Sequence, residues 1–202
     1  MKNKIALTVL FCLIFVGTGL AQIDFGVRGA ISRTNITEVH THSKSRIGYQ
    51  FGILSRIPIS GNYILYFQPE IDYSAQGEYS RPFDENHERV EQKAFFTFIN
   101  VPLNMKVYLS DAEDTFFFTG GPFFGFMLDK KVEVKTPNSD TAVNKYKTVD
   151  FGFGLGVGLS YHRKLEGSLR YSYGFTDLVL HDKKNKMNSS SNLNLGITYF
   201  FN

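Results

Sequence analysis

Cysteine is almost absent from this 202-residue chain, and tryptophan is absent altogether. The single cysteine, Cys12, lies in an apolar N-terminal run read below as a leader, so the rest of the chain has no disulfide, thiol nucleophile or cysteine metal site. Beyond residue 21 no apolar stretch has the roughly 20 residues that a membrane helix needs. Charge of one sign is also lacking. The 22 Lys and Arg fall to 20 once Lys2 and Lys4 are set aside with the leader, against 19 Asp and Glu. A balance of +1 gives no footprint for nucleic acid.

What is abundant is glycine and ring: 18 Gly, 20 Phe and 11 Tyr. The N-terminus reads as an export leader. Lys2 and Lys4 precede an apolar run over 5–16, interrupted by Thr8, and Gly19-Leu20-Ala21 forms a small-x-small cleavage site. Residues 1–21 are therefore expected to be a cleaved signal peptide. Residues 22–202, about 180 residues, suit a single domain.

From residue 23 the chain alternates apolar and polar with period two, the signature of strands with two different faces. Eight strands are expected over 23–32, 47–59, 63–76, 93–109, 115–130, 149–162, 165–175 and 194–201. One face is aliphatic and aromatic, as in Val149, Phe151, Phe153, Leu155, Val157, Leu159 and Tyr161; the other is polar or glycine. Connections at 60–62, 110–114 and 163–164 are short. Those at 33–46, 77–92, 131–147 and 176–190 are long and polar. A transmembrane chain without membrane helices must be a closed sheet. The pattern predicts an all-β fold: a single up-and-down antiparallel transmembrane β-barrel of about eight strands, with short periplasmic turns and four long extracellular loops. Aromatic girdles are expected at Tyr63, Phe116, Tyr161, Tyr199 and Phe201 on one rim, and at Tyr49, Tyr73, Phe95, Phe126, Tyr173 and Phe175 on the other. The alternative is a soluble lipocalin-type barrel, whose apolar face would turn inward.

The final strand resembles the C-terminal signal by which outer-membrane barrels reach their assembly machinery, with Asn194, Gly196, Tyr199 and Phe201 as the matching positions; Asn202 is one residue beyond the usual end. Five further segments resemble the PorT-like outer-membrane β-barrel family of Bacteroidetes: Phe25-Gly26-Val27-Arg28-Gly29, Gly48-Tyr49-Gln50-Phe51-Gly52, Phe67-Gln68-Pro69-Glu70-Ile71 with Gln76-Gly77, Ile99-Asn100-Val101-Pro102-Leu103, and Phe153-Gly154-Leu155-Gly156. The resemblance implies a barrel in the outer membrane, among lipid and lipopolysaccharide. The family namesake is linked to assembly of a secretion system, which makes a secretion-system or surface protein an expected class of partner.

The polar face carries both signs of charge. Arg28, Arg56, Glu70, Lys106, Glu166 and Arg170 are expected to form a paired network in a lumen too narrow for an open pore, with Glu70 reaching Arg28, Arg56 or Lys106. The glycines at 152, 154, 156 and 158 alternate within a strand, which is not the spacing of a phosphate loop. Their role is read as steric, making room for Phe96, Phe98 or Tyr108. Ser160 and His162, read as inward near a periplasmic turn, resemble the pair of a lipid A esterase but are placed away from its lipid-facing site. His40 and His42 are spaced for a metal without other ligands nearby. The basic run 181–186 suits either solvent or anionic lipopolysaccharide. The sequence points to no cofactor and no enzymatic activity. A structural or partner-binding barrel is favoured, with a small-solute channel or ligand-binding barrel as the alternative.

Overall fold

The computed structural model describes residues 23–35, 44–59, 61, 63–80, 92–134, 145–180 and 189–201. The expected leader 1–21, His40, His42 and the run 181–186 lie outside the described residues. Among the described residues there are ten strands: β1 (Asp24–Asn35), β2 (Lys44–Pro58), β3 (Leu65–Ser80), β4 (Gln92–Tyr108), β5 (Thr115–Val134), β6 (Lys145–Tyr146), β7 (Val149–Tyr161), β8 (Leu165–Gly174), β9 (Val179–Leu180) and β10 (Ser191–Phe200). Eight of them form a closed antiparallel barrel in the order β1-β10-β8-β7-β5-β4-β3-β2. Closure is made by β1 on β10, in register from Gly26 opposite Phe200 to Asn35 opposite Ser191.

Alternation sets the faces. In β10, Leu195, Ile197, Tyr199 and Phe201 just beyond it are 47–63% exposed, while Asn194 and Thr198 are at most 4% exposed. The same division runs around the barrel, with Phe25, Phe51, Ile71, Phe118, Leu155 and Leu169 outside and Arg28, Gln50, Glu70, Lys106, Glu166 and Arg170 inside. Apolar outside and ionic inside is the reverse of a lipocalin-type barrel and matches a wall facing hydrocarbon.

β7 spans the alternating run to Tyr161, but His162 is not its inward end. His162 and Arg163 take φ of 50° and 54°, and Lys164 N–H donates to Tyr161 O at 3.1 Å. Positive φ at both central residues is the geometry of a tight hairpin turn matched to strand twist. His162 therefore sits in the turn, exposed, because the chain must reverse there. At the other end β3, β4 and β5 rise beyond the predicted strand ends, to Ser80, from Gln92 and to Val134. Two short strands within the long connections, β6 and β9, pair with each other, Lys145 opposite Leu180. Leu178 beside them is fully buried against Ala94, Phe96 and Phe98, and Lys147 N–H donates to Leu178 O at 2.9 Å. The connection after β8 thus folds back over one side of the barrel mouth.

Candidate functional site

The lumen holds the buried polar side chains, arranged in layers. At the periplasmic end, Arg56 clamps Asp24, Nε and Nη2 lying 2.9 and 2.5 Å from Oδ2. Its Nη1 donates to the Tyr108 hydroxyl at 2.5 Å, and that hydroxyl donates to Glu166 Oε1 at 2.5 Å. Lys106 Nζ pairs with Glu166 Oε2. Rings enclose these charges: the Arg56 guanidinium is 4.1 Å above Phe200 and the Lys106 ammonium 4.2 Å above Phe117. A buried cation survives only where paired and hydrogen-bonded, and each of these has both a carboxylate and a ring.

One layer further in, Arg170 Nη1 lies 2.7 and 2.8 Å from the two carboxylate oxygens of Glu70. Gln68 and Asn104 side-chain amides donate to Glu70 Oε1 at 2.8 and 2.9 Å. Arg28 is held by Gln50 at 3.3 Å and by Asn194. The expected pairing of Glu70 with Arg28, Arg56 or Lys106 is corrected: its direct partner is Arg170, while Arg56 and Lys106 both go to Glu166. The reason is geometric. β3 and β8 lie across the lumen from one another, so Glu70 meets a residue on the opposite wall at its own height.

Between the ionic layers and the outer mouth is a cavity of about 50 Å³, lined by Arg28, Asp72, Thr119, Asp150, Arg170 and Asn192 among others. By volume it takes a few water molecules, at roughly 10–15 Å³ each. Several buried polar atoms on its wall, including Asp72 Oδ1, Asp150 Oδ1 and Thr119 Oγ1, lack a protein hydrogen-bond partner, the pattern of a hydrated chamber.

The steric role read for the β7 glycines falls to different rings. Gly158 is opposite Phe117 and Gly152 opposite Phe123, because β5 adjoins β7, whereas Phe96, Phe98 and Tyr108 are on β4, one strand further away. A Cβ on Gly158 would lie 2.8 Å from Phe117 Cε1. Phe96 and Phe98 pack instead under Leu178. Phe200, which the alternation left without a role, is fully buried. Its signal was available: it falls on the inward parity of β10.

The Ser160 hydroxyl is buried without a hydrogen-bond partner, whereas His162 Nδ1 contacts Glu113 Oε2 at 2.9 Å on the exposed rim. The two do not form a nucleophile–base pair. His162 N–H donates to Asp114 Oδ1 at 2.7 Å, and Arg163 lies 3.9 Å over the Tyr108 ring while donating to Ser110 O at 2.7 Å. The hydrogen bond to Glu113, with the added charge of Asp114, raises the His162 pKa above that of a free imidazole. Among the described residues no group of three or more His, Cys, Asp or Glu side chains is placed to hold a metal.

Of the C-terminal positions read as an assembly signal, Tyr199 and Phe201 face outward with ring centroids 5.8 Å apart, while Asn194 faces inward to Arg28. Gly196 also faces inward, and a Cβ there would come within 2.8 Å of Arg28 Nη2.

Comparison with known proteins gives a family. The model of the outer membrane protein beta-barrel domain matches residues 20–180. No curated protein matches. Solved barrels similar to this chain include Neisserial surface protein A, 14% identical, with TM-score 0.45 over 90% of this chain and 99% of that one. The outer membrane enzyme PagL is 10% identical, with TM-score 0.48 over 86% and 98%. OprG from Pseudomonas aeruginosa is 10% identical, with TM-score 0.48 over 91% and 98%. Matched over most of its length by the family model, and closed as an eight-stranded barrel, the chain belongs to the outer membrane protein β-barrel domain family and is a protein of the bacterial outer membrane.

Proposed function

We propose that this barrel is a non-enzymatic, non-conducting outer-membrane protein that serves as a rigid anchor and offers its outer loops or periplasmic rim to a partner. One observation carries the reading. Asp24, Arg56, Lys106, Tyr108, Glu166 and Phe200 fill the periplasmic end of the lumen with paired charges and rings, which supports a plug over a passage. In this reading the chain is exported by the leader 1–21, which is removed, and is received by the barrel assembly machinery through Asn194, Gly196, Tyr199 and Phe201. Kinship with the PorT-like barrels of Bacteroidetes, and with it an accessory role in secretion, is the narrower version, resting on the segment resemblance alone. Single-channel recording on the refolded protein tests the plug: steady conductance would reject it. Cross-linking in the native membrane tests the anchor role, and recovery of a secretion component or a surface protein would name the partner. The polar cavity, with its unpartnered wall atoms, favours one competing reading, a barrel binding a small polar solute, which calorimetric titration against small solutes separates from the first.

A further inference from the structure

Above the outer aromatic belt, the barrel wall is uneven. β7 and β8 end near the belt, where Val149 lies opposite Phe126, while β2, β3, β4 and β5 continue outward. The outward face of this taller wall is basic. Lys44, Tyr79, Lys93 and Glu133 lie in one row across β2 to β5, and Gly77, Phe95 and Lys131 in the next. Parity settles the direction, since Ala94 and Phe96, the neighbours of Phe95, are buried in the inward cluster. The Arg46 guanidinium is stacked 4.0 Å over the Phe95 ring, and Gly77 makes the path, because a Cβ there would come within 3.1 Å of Arg46 Cδ. Lys93 Nζ is 5.6 Å from the Tyr79 ring centroid. Arg33 on β1 flanks the row, with Nε donating to Ser45 at 2.7 Å. Among the described residues, Asp129 and Glu133 stand against these five cations, the latter 2.9 Å from Lys131. Among those residues the cations are in excess, and two of them are pre-positioned by rings with their charged groups on the outer face.

We propose that this face, centred on Arg46, Lys93 and Lys131, binds the phosphorylated saccharide headgroup of an outer-leaflet glycolipid. The chemistry required is anionic oxygen, which guanidinium and ammonium groups recognise by charge-assisted hydrogen bonds. The height selects the source. Phe126 and Lys131 are five residues apart, which places the patch roughly 10–15 Å beyond the level of Phe126 at about 3.3 Å per residue and a tilt near 40°; Phe95, expected in the same girdle as Phe126, instead lies opposite Lys131 and belongs to this higher level. The headgroup layer of a phospholipid reaches only about 5–8 Å past the hydrocarbon, so a phosphate carried on sugars fits the level and a phospholipid phosphate does not. The inference rests on the membrane-embedded barrel proposed above.

The test uses the full mature chain, purified in detergent, with lipid retention read by native mass spectrometry. The probes are a phosphorylated lipooligosaccharide, the same lipid after phosphatase treatment, and inorganic phosphate as competitor. The phosphorylated lipid is expected to stay bound, the dephosphorylated form to be lost, and Arg46→Gln/Lys93→Gln/Lys131→Gln to lower retention on the order of a hundredfold, at about fivefold per surface cation. Lys164→Gln on the opposite rim should change nothing. Should the triple variant fail to fold, Lys93→Gln and Lys131→Gln singly should each cost about fivefold. Equal retention of the dephosphorylated lipid, or undiminished retention by variants that keep heat-modifiable gel mobility, overturns the inference. Displacement by inorganic phosphate at equal phosphate concentration overturns the lipid as ligand. A wild-type chain without heat-modifiable mobility would instead overturn the membrane barrel itself, so the two failures are distinguishable.

Discussion

At the scale of single residues the lumen is governed by what each charge loses when its partner goes. Glu70 is 1% exposed and accepts hydrogen bonds from Arg170, Gln68 and Asn104. Glu70→Ala strands a buried guanidinium, a change that costs about 3–5 kcal/mol when one partner of a buried pair is removed. Denaturant titration in micelles should register a loss of that size. Removing both charges together, as Glu70→Gln with Arg170→Met, should recover most of it, because no buried charge is then left without its partner. If single and double variants lose equally, the carboxylate is not acting through Arg170. The exposed rim offers a pH-dependent counterpart. His162 binds its proton more tightly in the folded turn than as a free imidazole. Its contribution to holding the turn against Glu113 is therefore complete below the pKa of a free imidazole and is lost as pH rises through the elevated one. A histidine NMR titration should find that elevated midpoint, and Glu113→Gln should bring it down. The charged residues themselves were legible in the sequence because a charge on the face opposite lipid must be inside. Their pairing was not, since Glu70 and Arg170 are 100 positions apart and meet only after closure fixes the height of each strand.

Among the elements, β7 was legible almost to its ends, whereas β5 runs past its expected end. Two different solvents, hydrocarbon outside and a polar interior inside, write a period of two wherever both are present, and β7 lies wholly within that zone. β5 runs on to Val134, where its outward residues Lys131 and Glu133 are polar and no longer contrast with the inner face. The pairing of β6 with β9 was hidden for a different reason: two-residue strands are too short to show periodicity. The alternate glycines of β7 make a prediction at this scale. Gly158 faces the ring of Phe117 and the backbone of Gly167, so Gly158→Val must push two neighbouring strands apart. Overpacking of this kind costs about 1–3 kcal/mol, read as a lower unfolding midpoint. Gly61, with nothing near its Cβ position, should accept Ala with little change. Comparable losses at both positions would mean that ring packing is not what requires glycine in β7.

For the whole molecule the decisive quantity is the width left along the axis. An eight-stranded barrel has an interior that side chains can fill, and here the filling is uneven: a cavity of about 50 Å³ in the middle, and a layer of rings and paired ions beneath it. Tyr108 and Phe200, at most 1% exposed, are the largest parts of that layer, with Arg163 stacked on Tyr108 from below. Wild-type protein in a planar bilayer should pass no steady current. Leu178→Ala, which loosens the covering at the outer mouth, should leave it silent, because the periplasmic layer is intact. Tyr108→Ala with Phe200→Ala removes two rings from that layer and takes the Tyr108 hydroxyl from between Arg56 and Glu166. Small cations should then cross in discrete steps, provided the variant keeps its heat-modifiable mobility. Current through the wild type, or through Leu178→Ala alone, would place the constriction elsewhere. A folded double variant that stays silent would mean that the charges left in place, Arg56, Lys106 and Glu166 at that level or Glu70 and Arg170 in the layer above, close the passage without the rings.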